Sequence, residues 1–206
     1  MYQRGNILSS LPQVTKVLLV INILVFLVDM VSGRIVANLF ALYTYSTGGF
    51  RPFQIITHMF VHANFGHLFM NMFGLFLFGR TIEAVLGSKK MFILYFVSGL
   101  GAAGLQFLIF YFQGTSTLMV GASGAIMGIL GAFALMFPNV ELMLIFLPIP
   151  IKAKYFVPIF MVLELFLGVA NFSFDNIAHF AHLGGAIAGF ILAWYWKKNQ
   201  FSNHMY

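Results

Sequence analysis

Residues 121–136 read GASGAIMGILGAFALM, and residues 181–189 read AHLGGAIAG. Both stretches are apolar and rich in glycine and alanine, and each carries one potentially catalytic side chain, Ser123 or His182. In a membrane, small residues let helices approach closely, whereas an ionisable side chain usually marks a site or a pathway. The two stretches therefore predict transmembrane helices that bring a reactive serine and a reactive histidine into the bilayer.

The composition is that of a polytopic membrane protein. Of 206 residues, 61% are hydrophobic, 8% are charged and 26 are phenylalanine, which is too apolar for a soluble domain of this length. Cysteine is absent from the sequence, which excludes disulfides and thiolate chemistry. We expect a single domain over residues 1–206, of all-α class, in which the first apolar run is a permanent span rather than a signal peptide. Six predicted spans lie at about residues 14–32, 66–82, 91–112, 118–137, 154–171 and 178–196.

Basic residues lie mainly on one side of the predicted bundle. The other side has only Arg34 and Arg51, both in the long first loop. The positive-inside rule then places both termini in the cytoplasm and predicts a multi-pass protein of the cell (plasma or inner) membrane. Because the basic residues form no single patch, the net charge of +6 does not predict a nucleic-acid partner. The residues on the cytoplasmic side are Arg4, Lys16, Arg80, Lys89, Lys90, Lys152, Lys154, Lys197 and Lys198.

Four polar residues on spans two, four and six are predicted to share one depth in the membrane. Ser123 lies 15 residues before Pro138, and His182 lies 15 residues before Lys197. At about 1.5 Å per residue, both sit roughly 22 Å from the cytoplasmic boundary of a core about 30 Å thick. On the second span His67 reaches about 20 Å, and Asn71 lies one helical turn deeper. The predicted site is thus near the extracytoplasmic surface and opens to that side.

These residue types suit hydrolysis by an activated serine. A serine hydroxyl needs a base to take its proton, and His182 could do so and later protonate the leaving amine. Free backbone N–H groups at the start of the fourth helix, with His67 and Asn71, could stabilise an oxyanion. Gly124 would let the backbone approach closely. Because no aspartate is placed to orient His182, the sequence favours a two-residue dyad and needs no cofactor.

Four motifs, in order between Phe50 and Gly189, resemble those of the rhomboid family of intramembrane serine proteases. They are His67-Leu-Phe-Met-Asn71 (HxxxN), Glu83-Ala-Val-Leu-Gly87 (ExxxG), Gly121-Ala-Ser123-Gly124 (GxSG) and His182-Leu-Gly-Gly185-Ala-Ile-Ala-Gly189 (HxxGxxxG). The resemblance implies a six-helix bundle, Ser123 as nucleophile, His182 as general base and acid, and an oxyanion site from the Ser123 N–H, His67 and Asn71. It implies that the substrates are single-span membrane proteins in the lipid bilayer, cut in or near the transmembrane segment at small side chains. Structural roles fall to Gly121, Gly124, Gly185, Gly189, Glu83 and Arg51.

Two positions modify this resemblance. Phe50-Arg51 stands where many members have Trp-Arg, so we expect an interfacial anchor in a first loop, Gly33 to Phe65, that is partly embedded in the outer leaflet. Met127, one turn after Ser123, stands where several members have a tyrosine that stacks on the catalytic histidine. Methionine can still pack on an imidazole ring, but this change bears on how His182 is positioned.

Three alternatives stay open at this point. A metal site could form from His58, His62 and His67, or from His179 with His182, although no carboxylate is expected beside either set. A catalytically inactive relative could bind membrane proteins or take part in their quality control; such relatives typically lack the serine or the histidine. Transport could use Glu164 and Asn22 as relay groups. Glu164 is otherwise expected to face the bundle interior without an assigned role.

Overall fold

The computed structural model describes residues 11–144, 147–170 and 178–202. Arg4 and the predicted outer connection at 171–177 therefore lie outside the described residues. The helices are α1 (Gln13–Val31), α2 (Ile35–Phe40), α3 (Gln54–Thr57), α4 (Phe65–Gly74), α5 (Arg80–Leu86), α6 (Ser88–Gln113), α7 (Ser123–Met136), α8 (Ala153–Ala170) and α9 (His179–Ser202). The strands are β1 (Leu42–Tyr43), β2 (Leu118–Met119), β3 (Glu141–Leu144) and β4 (Leu147–Lys152).

Apolar helices of membrane-spanning length dominate the fold. A π-helical turn, Leu75–Gly79, joins α4 to α5 into one rod over Phe65–Leu86. This rod, α1, α6 and α8 are long and apolar enough to cross a bilayer, and α9 has 24 residues. Helix α7 is apolar but has only 14 residues, about 21 Å at 1.5 Å per residue. The expected class, a mostly helical polytopic bundle, is confirmed.

The fourth helix starts later than the predicted span at residue 118. Residues Leu118–Met119 instead form β2, which pairs antiparallel with β1 of the first loop. Gly121 has φ 118°, a conformation that L side chains rarely adopt, and α7 begins two residues later at Ser123. A lost helical turn at this end places Ser123 at a helix N-terminus, which the sequence analysis also expects.

Asn64 and Pro138 mark two further boundaries near the site-bearing helices. The Asn64 side-chain oxygen accepts a hydrogen bond from the His67 N–H at 2.9 Å, so it caps α4 and fixes His67 in the first turn. Helix α7 ends at Met136, two residues before Pro138, because proline disfavours helical geometry in the residue before it. Local sequence therefore fixes where α4 begins and where α7 ends.

Helices α6, α7 and α9 pack against one another through glycine and alanine. A Cβ on Gly124 would collide with Ala102 of α6, and one on Gly185 of α9 would collide with the Gly124 backbone. Gly189 meets the Gly128 backbone in the same way, one turn further along both helices. The three helices therefore approach to backbone contact, which the small-xxx-small spacing predicts.

Outside the helices, one feature differs from the sequence expectation. Glu141–Leu144 and Leu147–Lys152 form an antiparallel hairpin, where the sequence predicted only a connection. In the first loop, the side chain of Arg51 is exposed and donates to the Phe50 carbonyl at 2.8 Å. Gln54, which is 2% exposed, is one of the buried polar residues there: it accepts from the Arg51 N–H and donates to the Leu39 carbonyl.

The buried carboxylate of Glu83 connects α1 to the rod formed by α4 and α5. Glu83 accepts hydrogen bonds from the backbone N–H groups of Val14 and Thr15 at 2.8 and 2.7 Å. It also accepts from the hydroxyls of Thr15 and Ser88, each at 2.7 Å. The first N–H groups of α1 have no intrahelical partner, so Glu83 caps that helix from 68 residues away.

Candidate active site

Ser123 and His182 are in direct contact. The Nε2 atom of His182 lies 2.9 Å from the Ser123 Oγ, a hydrogen-bond distance, although the residues are 59 positions apart. Ser123 is the first residue of α7, and His182 lies in the first turn of α9. The glycine contacts between these two helices hold them close enough for this bond.

His67 and Asn71 both lie on α4, and the structure shows His67 beside Ser123. A Cβ on Gly121 would lie 2.7 Å from His67 Nε2 and 3.8 Å from Ser123 Oγ, so the imidazole and the hydroxyl flank this glycine. The Asn71 side chain is 5% exposed, and its amide donates to the His67 carbonyl at 2.8 Å. An amide nitrogen has two N–H donors, so the second N–H of Asn71 can bond a different acceptor.

The first turn of α7 offers further donors. The earliest intrahelical bond at this end runs from the Ile126 N–H to the Ala122 carbonyl, and no side chain caps the helix. The N–H groups of Ser123, Gly124 and Ala125 therefore precede the helical hydrogen-bond ladder. Such a helix terminus attracts negative charge.

A small cavity opens beside Ser123. Its walls come from α6, α7, α9, the segments just before α7 and α9, and residues 58–59 of the first loop, and most of the side chains there are hydrogen or methyl groups. The free space there is about that of one water molecule, so a large side chain does not fit without a change in packing. The glycine and alanine residues of its lining are Gly99, Ala102, Gly121, Gly124, Ala125, Ala178 and Ala181.

The sequence analysis missed the partner of the other His182 nitrogen. The Nδ1 atom of His182 lies 2.9 Å from Oε2 of Glu164 on α8, and Nδ1 of His179 lies 2.7 Å from the same oxygen. The three residues are 5–9% exposed. Glu164 does face the interior, as expected, but it is not without a partner. The signal available was a lone acidic residue in an apolar span, since such residues almost always face a partner.

The two metal sites considered from the sequence differ in the structure. His58, His62 and His67 do not form a metal-binding group among the described residues: the Nδ1 of His58 bonds the Gln54 carbonyl at 2.9 Å instead. His62 packs edge-on against His67, with ring centroids 5.1 Å apart. For His179 and His182, the expectation that no carboxylate accompanies them is wrong, because Glu164 lies between their Nδ1 atoms.

Two histidines of the first loop are held uncharged beside the site. Burial lowers the pKa of His58 from 6.5 to about 4. Burial and the neighbouring His67 ring lower the pKa of His62 to about 4 as well. Near neutral pH, neither contributes an imidazolium to the surroundings of Ser123.

The residues proposed for transport do not form a relay. Asn22 is fully buried on α1, and its amide donates to the Leu18 carbonyl at 2.8 Å. Glu164 is bonded to His179 and His182 on α9. No hydrogen bond within the described ranges links the two groups, so the structure offers no support for a shared pathway.

The chain resembles known proteins over most of its length. Residues 49–199 match the model of the family described as Rhomboid domain. The mitochondrial Rhomboid protein 1 of Saccharomyces cerevisiae is 33% identical over 149 residues, which cover 70% of this chain and 42% of that protein. The chloroplastic Rhomboid-like protein 11 of Arabidopsis thaliana is 30% identical over 152 residues, covering 71% and 53%.

A third relative is named as a protease. Rhomboid-like protease 3 of Toxoplasma gondii is 29% identical over 158 residues, which cover 77% of this chain and 57% of that protein. The chain thus spans about half the length of these curated relatives. The matched region contains Ser123, His182, His67 and Asn71, and the helical architecture agrees with the match. The chain belongs to the rhomboid family, which includes serine proteases.

Proposed function

We propose that this protein is an intramembrane serine endopeptidase that cleaves the transmembrane segments of single-span membrane proteins. The observation that carries the proposal is the 2.9 Å contact between His182 Nε2 and Ser123 Oγ, made between two helices of a membrane bundle. A serine within hydrogen-bond reach of a base is the minimal arrangement for acyl transfer. The family to which the chain belongs includes proteases of this kind.

In the proposed reaction, Ser123 Oγ attacks the carbonyl carbon of the scissile peptide. The O–H proton moves to His182 Nε2 as the Oγ–C bond forms, and the carbonyl oxygen becomes an oxyanion. His182 then protonates the leaving amine as the C–N bond breaks. A water molecule, deprotonated by the same Nε2, hydrolyses the acyl-enzyme and regenerates Ser123. Each step uses only groups of this chain and water, so we propose no cofactor.

The proposed oxyanion site combines the Ser123 N–H with His67 and Asn71. The helix start supplies backbone donors without intrahelical partners, the His67 ring lies beside Ser123, and Asn71 is one turn further along α4. Gly121 supports this role in two ways. Its positive φ is a conformation that other residues rarely adopt, and any Cβ there would occupy the space between His67 and Ser123. Gly124, Gly185 and Gly189 support the site by letting α7 and α9 touch.

The proposed substrates follow from the surroundings of Ser123. A transmembrane helix satisfies its own peptide groups, so a substrate with helix-breaking residues would unwind into the site at lower cost. A small side chain next to the scissile bond is proposed because the residues around Ser123 leave little free space. The lipid bilayer presents such segments to the protein from the side.

We propose that both termini face the cytoplasm and that the site opens to the extracytoplasmic side of the cell membrane. Support comes from the excess of Lys and Arg at one end of the bundle. Two of the relatives are named mitochondrial or chloroplastic, so the orientation is best tested directly, by labelling of single cysteines introduced at each end. Access of a membrane-impermeant reagent to the carboxyl-terminal end from outside intact cells would contradict the orientation.

The function is tested by fluorophosphonate labelling of the detergent-solubilised protein and by cleavage of a single-span reporter. Wild type should react and cleave, whereas Ser123→Ala and His182→Ala should each abolish both while the helical content is kept. Ser98→Ala is a matched control: Ser98 is fully buried in α6, and its hydroxyl has no hydrogen-bond partner in the described structure. Appreciable turnover in either site variant would reject the dyad, and a folded but inert wild type would favour a non-catalytic relative.

A further inference from the structure

The side chain of Glu164 is an exception on its helix. Most described side chains of α8 face outward, and those that are buried are Ala153, Val157 and Glu164. A carboxylate in a transmembrane helix is costly unless it is paired. Its Oε2 receives two imidazole nitrogens, His179 Nδ1 at 2.7 Å and His182 Nδ1 at 2.9 Å. Glu164 is therefore held by one of the two residues proposed to carry the reaction.

This contact selects one protonation form of His182. A carboxylate can only accept hydrogen bonds, so the His182 Nδ1 must carry a proton to bond it. In the neutral ring, the other nitrogen then has no proton. That nitrogen, Nε2, is the one 2.9 Å from Ser123 Oγ. The ring is thus presented in the form that can take the serine proton.

We propose that Glu164 is a positioning residue that completes a Ser123–His182–Glu164 triad, with His179 as a second donor that holds the carboxylate in place. This inference rests on the proposed function. Glu164 orients the His182 ring through Nδ1–H and stabilises the imidazolium that forms when Nε2 takes the Ser123 proton. The carboxylate keeps its charge throughout. The total charge of Ser123, His182, Glu164 and the bound substrate is unchanged, because the positive imidazolium forms together with the negative oxyanion.

Met127 bears on how the His182 ring is oriented. The resemblance implies an aromatic partner for the catalytic histidine at that position in several relatives, and here a half-buried methionine stands there. The His182 ring instead has hydrogen bonds at both nitrogens. A ring fixed at two points in this way does not depend on stacking for its orientation.

A metal ion is a competing use of the same three side chains, since their ligand atoms lie within 4.8 Å of one another. Zinc–ligand bonds of about 2.0–2.1 Å in tetrahedral geometry would separate the ligand atoms by about 3.3 Å. The observed separations from Oε2 are 2.7 and 2.9 Å, which are hydrogen-bond distances. The geometry therefore favours protons over a metal between these atoms.

Steady-state cleavage of a single-span reporter by Glu164→Gln tests the role. We expect kcat to fall by about 10²- to 10⁴-fold, the scale for loss of an orienting carboxylate in a serine–histidine–carboxylate site, with KM changed by less than about threefold. Glu164→Asp, which keeps the charge, should recover part of this loss. Glu83→Gln is the matched control, because Glu83 is an equally buried carboxylate bonded to other groups; its kcat should equal that of wild type.

Nitrogen-15 spectra of histidine-labelled protein in detergent provide a readout that a structural role would not move. The His182 signals, assigned by their loss in His182→Ala, should show the Nδ1–H form in wild type and a mixture or the Nε2–H form in Glu164→Gln. The wild-type spectrum alone decides the matter if Glu164→Gln does not fold. An Nε2–H ring in wild type, or an unchanged kcat in a folded Glu164→Gln, would overturn the proposal.

Two further outcomes are distinguishable. Loss of activity on chelation, restored by zinc in wild type but not in Glu164→Gln, would replace the positioning role with a metal site. A wild type that neither cleaves nor labels would reject the proposed protease function, while the spectrum still reports whether Glu164 sets the His182 tautomer.

Discussion

Two buried carboxylates do different work in this protein. Glu83, near the end of the rod formed by α4 and α5, accepts four hydrogen bonds from backbone N–H groups and hydroxyls. Glu164, on α8, accepts from two imidazoles, one of which contacts Ser123. Both side chains are less than 7% exposed. Burial alone therefore does not distinguish a structural carboxylate from one beside a reacting group.

The nature of the donors makes the difference. The donors to Glu83 neither gain nor lose a proton near neutral pH, so that carboxylate can only join helices. An imidazole can change its charge, so the bond between Glu164 and His182 can act on a proton transfer. The expected consequence is that changes around Glu83 alter the free energy of unfolding, whereas changes around Ser123 and His182 alter the rate.

The largest effect is expected from Glu83→Ala. Four donors around Val14, Thr15 and Ser88 would lose their acceptor, and an unsatisfied buried group costs about 1–3 kcal/mol. We expect the free energy of unfolding to fall by about 3 kcal/mol or more, measured by thermal and denaturant unfolding in micelles. The kcat of the molecules that remain folded should not change, and a folded variant with slow turnover would break the comparison.

Asn71→Ala tests the opposite end of the same rod. Loss of one oxyanion donor should lower kcat by about 10- to 1000-fold, with little change in the unfolding midpoint. Asn22→Ala is the control, because each asparagine donates at 2.8 Å to the carbonyl four residues earlier, but Asn22 lies on α1. Equal rates for Asn71→Ala and wild type would remove Asn71 from the proposed oxyanion site.

Ser88→Ala sharpens the picture at Glu83 with a smaller change. It removes one of the four hydrogen bonds to the carboxylate, so the expected cost is about 1 kcal/mol of unfolding free energy with kcat unchanged. Ser98→Ala removes a buried hydroxyl that has no partner in the described structure and should cost less. A larger loss for Ser98 than for Ser88 would show that packing, rather than the hydrogen bond, dominates there.

The smallest effect concerns pH and the loop beside Ser123. Folding lowers the pKa of His58 from 6.5 to about 4, so between these values the unfolded chain binds more protons than the folded one. Stability is therefore fully present above about pH 6.5 and declines as the pH falls towards 4.

Between pH 8 and pH 6 the loss should stay below about 1 kcal/mol for this residue. The change is measured as the unfolding midpoint of Ser123→Ala against pH. His62, with a similarly lowered pKa, should contribute a comparable slope, so His58→Gln should remove only part of the dependence. A midpoint that rises as the pH falls from 8 to 6 would contradict the direction.

Much of the helical architecture was predictable because it follows from local rules. Runs of apolar residues of bilayer length specify spans, and the helices that form lie within a few residues of most predictions. Equal counting distances from Pro138 and Lys197 placed Ser123 and His182 at one depth, and the structure brings them into contact. That prediction works because a straight helix converts residue number into height.

Other features required information that local patterns do not contain. Gln54 stabilises the first loop through partners that lie 3, 5 and 15 residues away, and its type and spacing do not reveal this role. The start of α7 at Ser123 depends on a strand pairing between residues 42–43 and 118–119. The antiparallel pairing of Glu141–Leu144 with Leu147–Lys152 is a backbone contact that apolar content does not reveal.

The sequence by itself determined that the chain crosses a membrane several times, which residues are small enough for close helix contact, and which polar groups share a depth. These properties depend on side-chain type and on spacing along one helix. Only the tertiary structure decided that Glu164 reaches His182, because depth does not specify rotation: a residue at a given height can face lipid or any neighbouring helix. Helix–helix packing sets that angle, and it turns the lone acidic residue of α8 towards the imidazole that contacts Ser123.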